Sequence, residues 1–121
     1  MIRTPPDVAT LRAAWWALRA SRRVRRDLAR GRGIEDLRAP RAPALPPAAA
    51  RGMTAVLRVR RSRCLESAVV RQAWYTAQGS RRDLVIGVVG PGSGFAAHAW
   101  LEGDPPHGTE QFAELVRRPA R

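Results

Sequence analysis

Apolar residues recur at helical spacing through the first thirty residues, with arginines at many of the positions between them. The apolar set lies three or four residues apart along the chain: Val8, Leu11, Trp15 and Leu18. This period predicts an amphipathic helix from Pro6 to about Arg30, with Asp7 as its N-cap. We expect the apolar face to pack in the core and the arginines to face solvent. A docking or membrane-surface helix is the alternative.

Two further helices follow a proline-rich connector. The connector spans Gly31 to Pro47, where four prolines prevent regular structure and favour an extended course across the domain surface. Ala48 to Val59 is predicted to be the second helix. Three of its residues would form the buried face: Met53, Val56 and Leu57. The third helix runs from about Arg63 to Gln78 and ends at Gly79, a residue type that commonly follows a helix.

The second half of the chain carries a strand-turn-strand pattern. Leu84 to Val89 is a run rich in β-branched residues, typical of a strand. Gly90 to Gly94 predicts a turn and Phe95 to Glu102 a second strand, so the two strands should form an antiparallel hairpin. The tail, Thr109 to Arg118, is predicted to be a strand or a short helix. Two of its apolar residues would anchor it to the core: Phe112 and Leu115.

Helices followed by a small antiparallel sheet are the element order of an α+β domain. A chain of 121 residues has room for one such domain with an arm attached. We therefore divide the sequence into residues 1–47, an N-terminal amphipathic helix with its proline-rich connector, and residues 48–121, a core that would carry any catalysis.

Charge is the most unusual property of the composition. The formal net charge is +12, and all 22 basic residues are arginine. Such a charge is typical of nucleic-acid-binding proteins, but here the arginines are spread from Arg3 to Arg121 and form no single stripe. We therefore expect no nucleic-acid partner. A non-enzymatic, arginine-rich binding module stays open as an alternative, since guanidinium groups suit acidic or phosphate-bearing partners.

The number of cysteines and the hydropathy of the chain indicate in which cellular compartment we expect the protein. Cys64 is the single cysteine, so no disulfide can form within the chain, and a reducing compartment, the cytoplasm, is expected. No apolar stretch approaches the length of a membrane span. The Cys and His spacing supports no metal site, and Gly90 to Gly94 lacks the Lys-Ser/Thr of a phosphate loop. We expect neither a metal nor a cofactor.

Cys64 and His98 form the candidate catalytic pair. Cys64 stands at the start of the third predicted helix, where unpaired backbone N–H groups and the helix dipole favour a thiolate. His98 lies on the second predicted strand, on the same face as Trp100, and is suited to accept the thiol proton. The negative charge of Glu66 disfavours a thiolate nearby, although a carboxylate in the first turn of a helix is stabilised by the helix dipole. The alternative is a buried, inert Cys64 and a core histidine.

Three sequence blocks around this pair resemble one protein family. They follow one another along the chain: Cys-Leu-x-x-Ala at Cys64–Ala68, Val-Ile-Gly-Val at Val85–Val88 and His-Ala-Trp-x-Glu at His98–Glu102. Together they resemble the lasso-peptide leader peptidase family, the transglutaminase-like B protein, which is often the stand-alone C-terminal half of a split pair. The resemblance extends over residues 50–115, approximately.

The resemblance implies a fold, an activity and partners. The fold would be a transglutaminase-like or papain-like cysteine protease core over residues 48–121. The activity would be removal of the leader from a ribosomally made lasso-peptide precursor through a thioester, with Cys64 as nucleophile and His98 as base. A separate leader-recognition protein would deliver the precursor, and a macrolactam-forming cyclase would act on the released core peptide.

The third catalytic residue is an acid in this family, about a dozen positions after the histidine. The chain contains no Asn, which excludes a papain-style Asn orienter. If the turn after Glu102 folds the chain back symmetrically, position 110 lies opposite position 98. Glu110 is therefore the first choice to orient the His98 imidazole, and Asp104 is the second. A catalytic pair without an orienter stays open, as does a transglutaminase-like acyl transferase that uses the same pair.

Overall fold

The computed structural model describes residues 7–89, 96–105 and 112–121, which form three helices and three strands. The helices are α1 (Val8–Ala29), α2 (Ala50–Val59) and α3 (Cys64–Ala77). The strands are β1 (Leu84–Val89), β2 (Ala96–Leu101) and β3 (Ala113–Arg118). The α+β prediction is confirmed. The predicted turn at Gly90–Gly94 and the first residue of the predicted second strand, Phe95, lie outside the described residues.

Helix boundaries follow the predicted capping residues closely. The Asp7 carboxylate accepts a hydrogen bond from the Thr10 N–H at 2.8 Å and caps α1. At the end of α3, Gly79 has a left-handed φ of 84°, and its N–H donates to the Thr76 carbonyl. The next N–H, from Ser80, donates to the Tyr75 carbonyl, which completes a Schellman motif. Local chemistry therefore ends the helix where the sequence predicts.

The buried face of α1 is not the predicted one. Trp15 is 64% exposed, and Val8 and Leu11 are exposed as well, whereas a different stripe, made of one tryptophan and several small residues, is buried. The buried α1 residues of the core are Ala13, Trp16, Ala17, Ala20 and Val24. The apolar pattern correctly predicts a helix, but its large residues form a strip in solvent.

Close packing of α2 explains why small residues of α1 face inward. A Cβ placed on Gly52 of α2 would lie 2.2 Å from the Thr10 carbonyl oxygen and 3.0 Å from the Ala14 nitrogen. The two backbones therefore touch at Gly52, which leaves no room for large side chains between them. Met53 and Leu57 are buried as predicted, and Val56 is half-buried.

The proline-rich connector follows the core surface and is held to it by hydrogen bonds. The Trp16 indole N–H donates to the Pro40 carbonyl at 3.0 Å. The Gln78 side-chain amide donates to the Pro43 carbonyl and accepts a hydrogen bond from the Leu45 N–H. Leu37 from this connector is fully buried. The connector is an ordered wrap with two single turns of 3-10 helix, at Ile34–Asp36 and Pro47–Ala49.

The three strands form an antiparallel sheet in the order β2-β1-β3. The β1–β2 hairpin is confirmed, with Gly87 of β1 paired to His98 of β2. The tail is a strand, but it pairs with β1, through Ile86 and Val116, and not with β2. The pairing of β3 with β1 therefore gives no support to a symmetric fold-back beside β2, the condition on which Glu110 was placed opposite His98.

The tail is also anchored differently from the prediction. Leu115 is 65% exposed and contributes nothing to the core, whereas Phe112 is half-buried against the β2 aromatic side chains. Arg118 at the end of β3 is the buried residue, although it is charged. No helix in the described ranges is both long and apolar enough to cross a membrane.

Candidate active site

Cys64 is the first residue of α3 and its side chain is exposed. The N-cap, Arg63, has extended backbone (φ −68°, ψ 162°), and no side chain caps the helix. The backbone N–H groups of the first turn therefore lack a capping acceptor and present positive potential beside the thiol. This exposure contradicts the alternative in which Cys64 is a buried, inert residue.

His98 lies on β2 within a group of aromatic side chains. Its ring is 5.8 Å from the Trp100 ring at an interplanar angle of 21°, and 5.6 Å from the Phe112 ring at 41°. Gly87, directly across the β1–β2 ladder, leaves space that these rings fill, because a Cβ there would lie 2.7 Å from the Trp100 indole. The aromatic neighbours limit the positions that the imidazole can adopt.

Cys64 and His98 line one open cavity of about 500 Å³. Residues from three segments complete its walls: Ser62, Ser67, Arg71, Ala99, Trp100, Asp104 and Pro105. Within the part of the chain that the structure describes, no hydrogen bond joins the thiol to the imidazole. Catalytic hydrogen bonds are often long or absent before substrate binds, so the shared cavity is the relevant observation.

An ion pair between Arg71 and Asp104 closes one side of this cavity. The Arg71 guanidinium donates to both oxygens of Asp104, at 2.8 and 3.0 Å, and the Leu101 N–H donates to the same carboxylate at 2.9 Å. Burial opposes ionisation of Asp104, but these hydrogen bonds outweigh it and hold the pKa below its usual value. The pair joins α3 to the turn after β2, and so fixes the distance between the elements that carry Cys64 and His98.

Asp104, the second choice for orienting the imidazole, thus already has other partners. Among the described residues, no carboxylate is hydrogen-bonded to His98. Glu110, the first choice, lies outside the described residues. Arg71 was not predicted to contribute, although its position gives a signal: it follows Cys64 by seven residues, which places both on one face of α3.

Glu66 fixes the start of α3 against α1. Its buried carboxylate accepts hydrogen bonds from Ser21 at 2.6 Å, Arg25 at 2.8 Å and Ser62 at 2.5 Å. Burial alone would raise the pKa of Glu66, but these three donors hold it below its usual value. A carboxylate two residues after Cys64 is therefore fully occupied by protein donors.

A second cavity, of about 710 Å³, lies on the other side of Cys64. Arg61 and Arg63 contribute to its walls together with Leu28 and Leu65. Arg61 has a left-handed φ of 51°, where glycine is the usual residue, and it occupies the C′ position of α2. Exposed guanidinium groups therefore lie beside an exposed thiol and make this surface electropositive.

The arrangement suits nucleophilic catalysis without a metal ligand set. No group of three His, Cys, Asp or Glu residues in the described ranges could hold a metal ion. An exposed thiol at an uncapped helix start, with a strand histidine on the same cavity, has the parts needed for acyl transfer through a thioester.

Comparison with known proteins agrees with this geometry. The family model of the transglutaminase-like superfamily matches residues 7–117, which includes all three helices and nearly all of the sheet. No curated protein and no solved structure matches the chain. Members of this superfamily are typically cysteine-dependent enzymes. The predicted fold is therefore confirmed, and the chain belongs to the transglutaminase-like superfamily.

Proposed function

We propose that this protein is a cysteine peptidase that removes the leader from a lasso-peptide precursor. The observation that carries the proposal is the exposed Cys64 thiol at an uncapped helix start, on one cavity with His98. A structural cysteine would be buried and inert, whereas a nucleophile must be reachable by substrate.

The chemistry follows from these positions. His98 takes the proton of Cys64, and the sulfur attacks the scissile carbonyl carbon. The Cys64 backbone N–H stabilises the oxyanion that forms. Collapse of the tetrahedral intermediate breaks the C–N bond, and the imidazolium returns its proton to the leaving amine. Water, deprotonated by His98, then attacks the thioester and releases a free carboxylic acid and the thiol.

The two cavities that flank Cys64 support a peptide substrate. A chain passing over the thiol would have residues on both sides of its scissile bond in contact with the protein. Arg61 and Arg63 on one side favour acidic residues there. The lasso-precursor assignment itself depends on the Cys-Leu-x-x-Ala, Val-Ile-Gly-Val and His-Ala-Trp-x-Glu blocks.

The exposed apolar strip on α1 supports docking of a leader-recognition protein. Val8, Leu11 and Trp15 adjoin an open cavity of about 550 Å³ whose rim carries Arg12 and Arg19. An apolar strip bordered by arginines is complementary to a partner that presents an apolar patch within an acidic surface. We place the reaction in the cytoplasm, upstream of a macrolactam-forming cyclase that consumes the released core peptide.

The test is cleavage of a precursor peptide in the presence of the leader-recognition protein. Wild type is expected to release the leader as a free acid, and Cys64→Ala and His98→Ala are expected to release none above background. Thr54→Ala, an exposed substitution on α2, serves as the control and should cleave as wild type does.

Mass spectrometry of the leader product separates hydrolysis from acyl transfer. A leader that carries an added amine, or a crosslink, would establish the transferase alternative with the same Cys64–His98 pair. Cleavage by Cys64→Ala at the wild-type rate would refute cysteine catalysis altogether, whereas a wild-type protein that cleaves no precursor would favour the arginine-rich binding module.

A further inference from the structure

A cavity of about 370 Å³ lies at the opposite end of α3 from the thiol. The last turns of α3, the connector and the C-terminal residues line it, and its polar walls are Arg38, Arg41, Gln72, Thr76, Arg118 and Arg121. Twelve residues separate Cys64 from Thr76, about 18 Å along the helix. This cavity is therefore distinct from the catalytic one.

Arg118 in this cavity is a buried cation with no acidic partner in the described part of the chain. The residue is only 4% exposed, and its Nη1 donates to the carbonyls of Ile34 and Leu37 at 2.8 and 2.7 Å. Its Nε is buried without a hydrogen bond to any residue in the described ranges. Glu35, an acid that lies nearby, is ion-paired with Arg121. Burial lowers the pKa of Arg118 to about 10, which shows how poorly its charge is compensated.

A buried acceptor lies on the same cavity as this donor. The Gln72 amide N–H donates to the carbonyls of Arg82, Arg118 and Pro119, which fixes the direction of the side chain. Its Oε1 is buried and accepts no hydrogen bond from the described residues, and the Thr76 hydroxyl is likewise buried and unpaired among them. Unpaired buried polar atoms are rare, so three on one cavity point to a ligand that pairs with them.

We propose that this cavity binds a carboxylate-bearing peptide segment, with the carboxylate on Arg118 and a peptide N–H on the Gln72 oxygen. The arginines at the rim, Arg38 and Arg41, strengthen the attraction for a negative charge. The Gln72 acceptor disfavours phosphate, whose oxygens surround its charge on all sides. The three alanines of the wall provide apolar contact for the neighbouring side chains.

That the bound peptide is a segment of the precursor rests on the proposed function. Binding of a carboxylate in this cavity does not depend on that function. Gln72, on which the peptide N–H is placed, follows Cys64 by eight residues, about 12 Å along the helix. An extended peptide covers about 3.3 Å per residue, so an acidic residue in this cavity would lie at least about four residues from the scissile bond. Binding at this distance would fix the register of the substrate on Cys64.

The test measures binding by calorimetry to the Cys64→Ala protein, which removes any contribution from cleavage. Three pentapeptides are compared: acetyl-Gly-Ala-Glu-Ala-Gly-amide, the same peptide with Gln in place of Glu, and the Gln peptide with a free C-terminus. The Glu peptide should bind at least tenfold more tightly than the neutral Gln amide. Tighter binding of the free C-terminus than of the Glu peptide would identify a terminal carboxylate as the ligand.

Variants of exposed rim residues keep the test independent of folding. Arg38→Gln with Arg41→Gln should weaken binding of the Glu peptide at least tenfold. The matched control, Arg51→Gln with Arg58→Gln on α2, removes the same charge and should leave binding within twofold of the parent protein. If the rim variant and the α2 control lose the same affinity for the Glu peptide, the effect is due to net charge alone and the proposed site is refuted.

Two further outcomes would overturn the proposal. These are equal binding of the Glu and Gln amides, and tighter binding of inorganic phosphate than of either carboxylate peptide. Arg118→Gln should abolish binding while leaving the circular dichroism spectrum unchanged. If this variant unfolds, the affinity of the Arg38→Gln, Arg41→Gln double variant for the Glu peptide tests the proposal instead. Binding is read without catalysis, so failure of the peptidase hypothesis would leave this result standing.

Discussion

Gly87→Ala tests whether the aromatic side chains around His98 position the imidazole. The new methyl group would lie 2.7 and 2.9 Å from two atoms of the Trp100 indole and 2.9 Å from Phe112 Cβ. To reach an ordinary contact of 3.4 Å, these groups must withdraw by about 0.5–0.7 Å. Both rings pack on His98, so the imidazole must shift with them.

The expected cost can be estimated from the atoms involved. The indole edge is the far end of a side chain and can tilt, but Phe112 Cβ is next to the backbone, so β3 itself must move. Overpacking of this kind costs about 1–3 kcal/mol. The gain of about 0.5–1 kcal/mol from replacing glycine in a strand offsets part of it. A misplacement approaching 1 Å costs roughly 100-fold in rate, so kcat/KM should fall about 10- to 100-fold.

Two measurements check this prediction. Urea unfolding gives the loss of stability, and precursor cleavage under single-turnover conditions gives the loss of catalytic rate. Gly33→Ala is the matched control, because a Cβ there meets nothing within 4 Å and should change neither quantity. If Gly87→Ala cleaves at the wild-type rate while remaining folded, the aromatic neighbours do not position His98.

Four further predictions concern the elements around the site. Gly52→Ala should destabilise the protein by about 1–3 kcal/mol in urea unfolding, because the α1 backbone must withdraw from α2; a neutral result would contradict the backbone contact. Arg61→Gly should stabilise it by about 0.5–1 kcal/mol, since the left-handed φ strains arginine, and a loss of stability would contradict this explanation. Glu66→Gln should cost about 1–3 kcal/mol at pH 7. Because the pKa of Glu66 is lowered on folding, its contribution is present above 4.5, the ordinary pKa of a glutamate, and is lost as the pH falls below that value. Acid unfolding of the variant should therefore be less steep than that of wild type, and unchanged steepness would refute the linkage. Trp15→Ser should leave stability within about 0.5 kcal/mol of wild type but weaken partner-stimulated cleavage at least tenfold, with the partner-independent rate as the control.

Local signals in the sequence predicted most of the secondary structure. Asp7 and Gly79 lie where the helix-capping rules place them, and the run from Leu84 to Val89 is the central strand. These features depend on residues close in sequence, so pattern and turn chemistry suffice to find them. Cys64 was placed at a helix start and His98 on a strand for the same reason, and the structure brings both to one cavity.

Features that depend on distant residues could not be predicted. α1 has two candidate faces, and only the backbone contact at Gly52 of α2 determines that alanines, and not Trp15, face inward. The tail pattern predicted a strand or a short helix and specified no partner strand; pairing with the far edge of β1 is possible because the entropy of closing a loop grows only slowly with its length. The case for Glu110 as the orienter now depends on its distance from His98 in the sequence alone, and it stays a prediction.

The carboxylate of Glu66 has a consequence for regulation. It joins the first turn of α3 to Ser21 and Arg25 in the C-terminal half of α1, while the exposed strip containing Trp15 lies on a different face of α1. Part of any displacement of α1 by a bound protein would therefore be transmitted through this acidic side chain to the residue that begins α3, Cys64. If a protein binds this strip as proposed, we expect it to change the turnover rate as well as the local concentration of substrate.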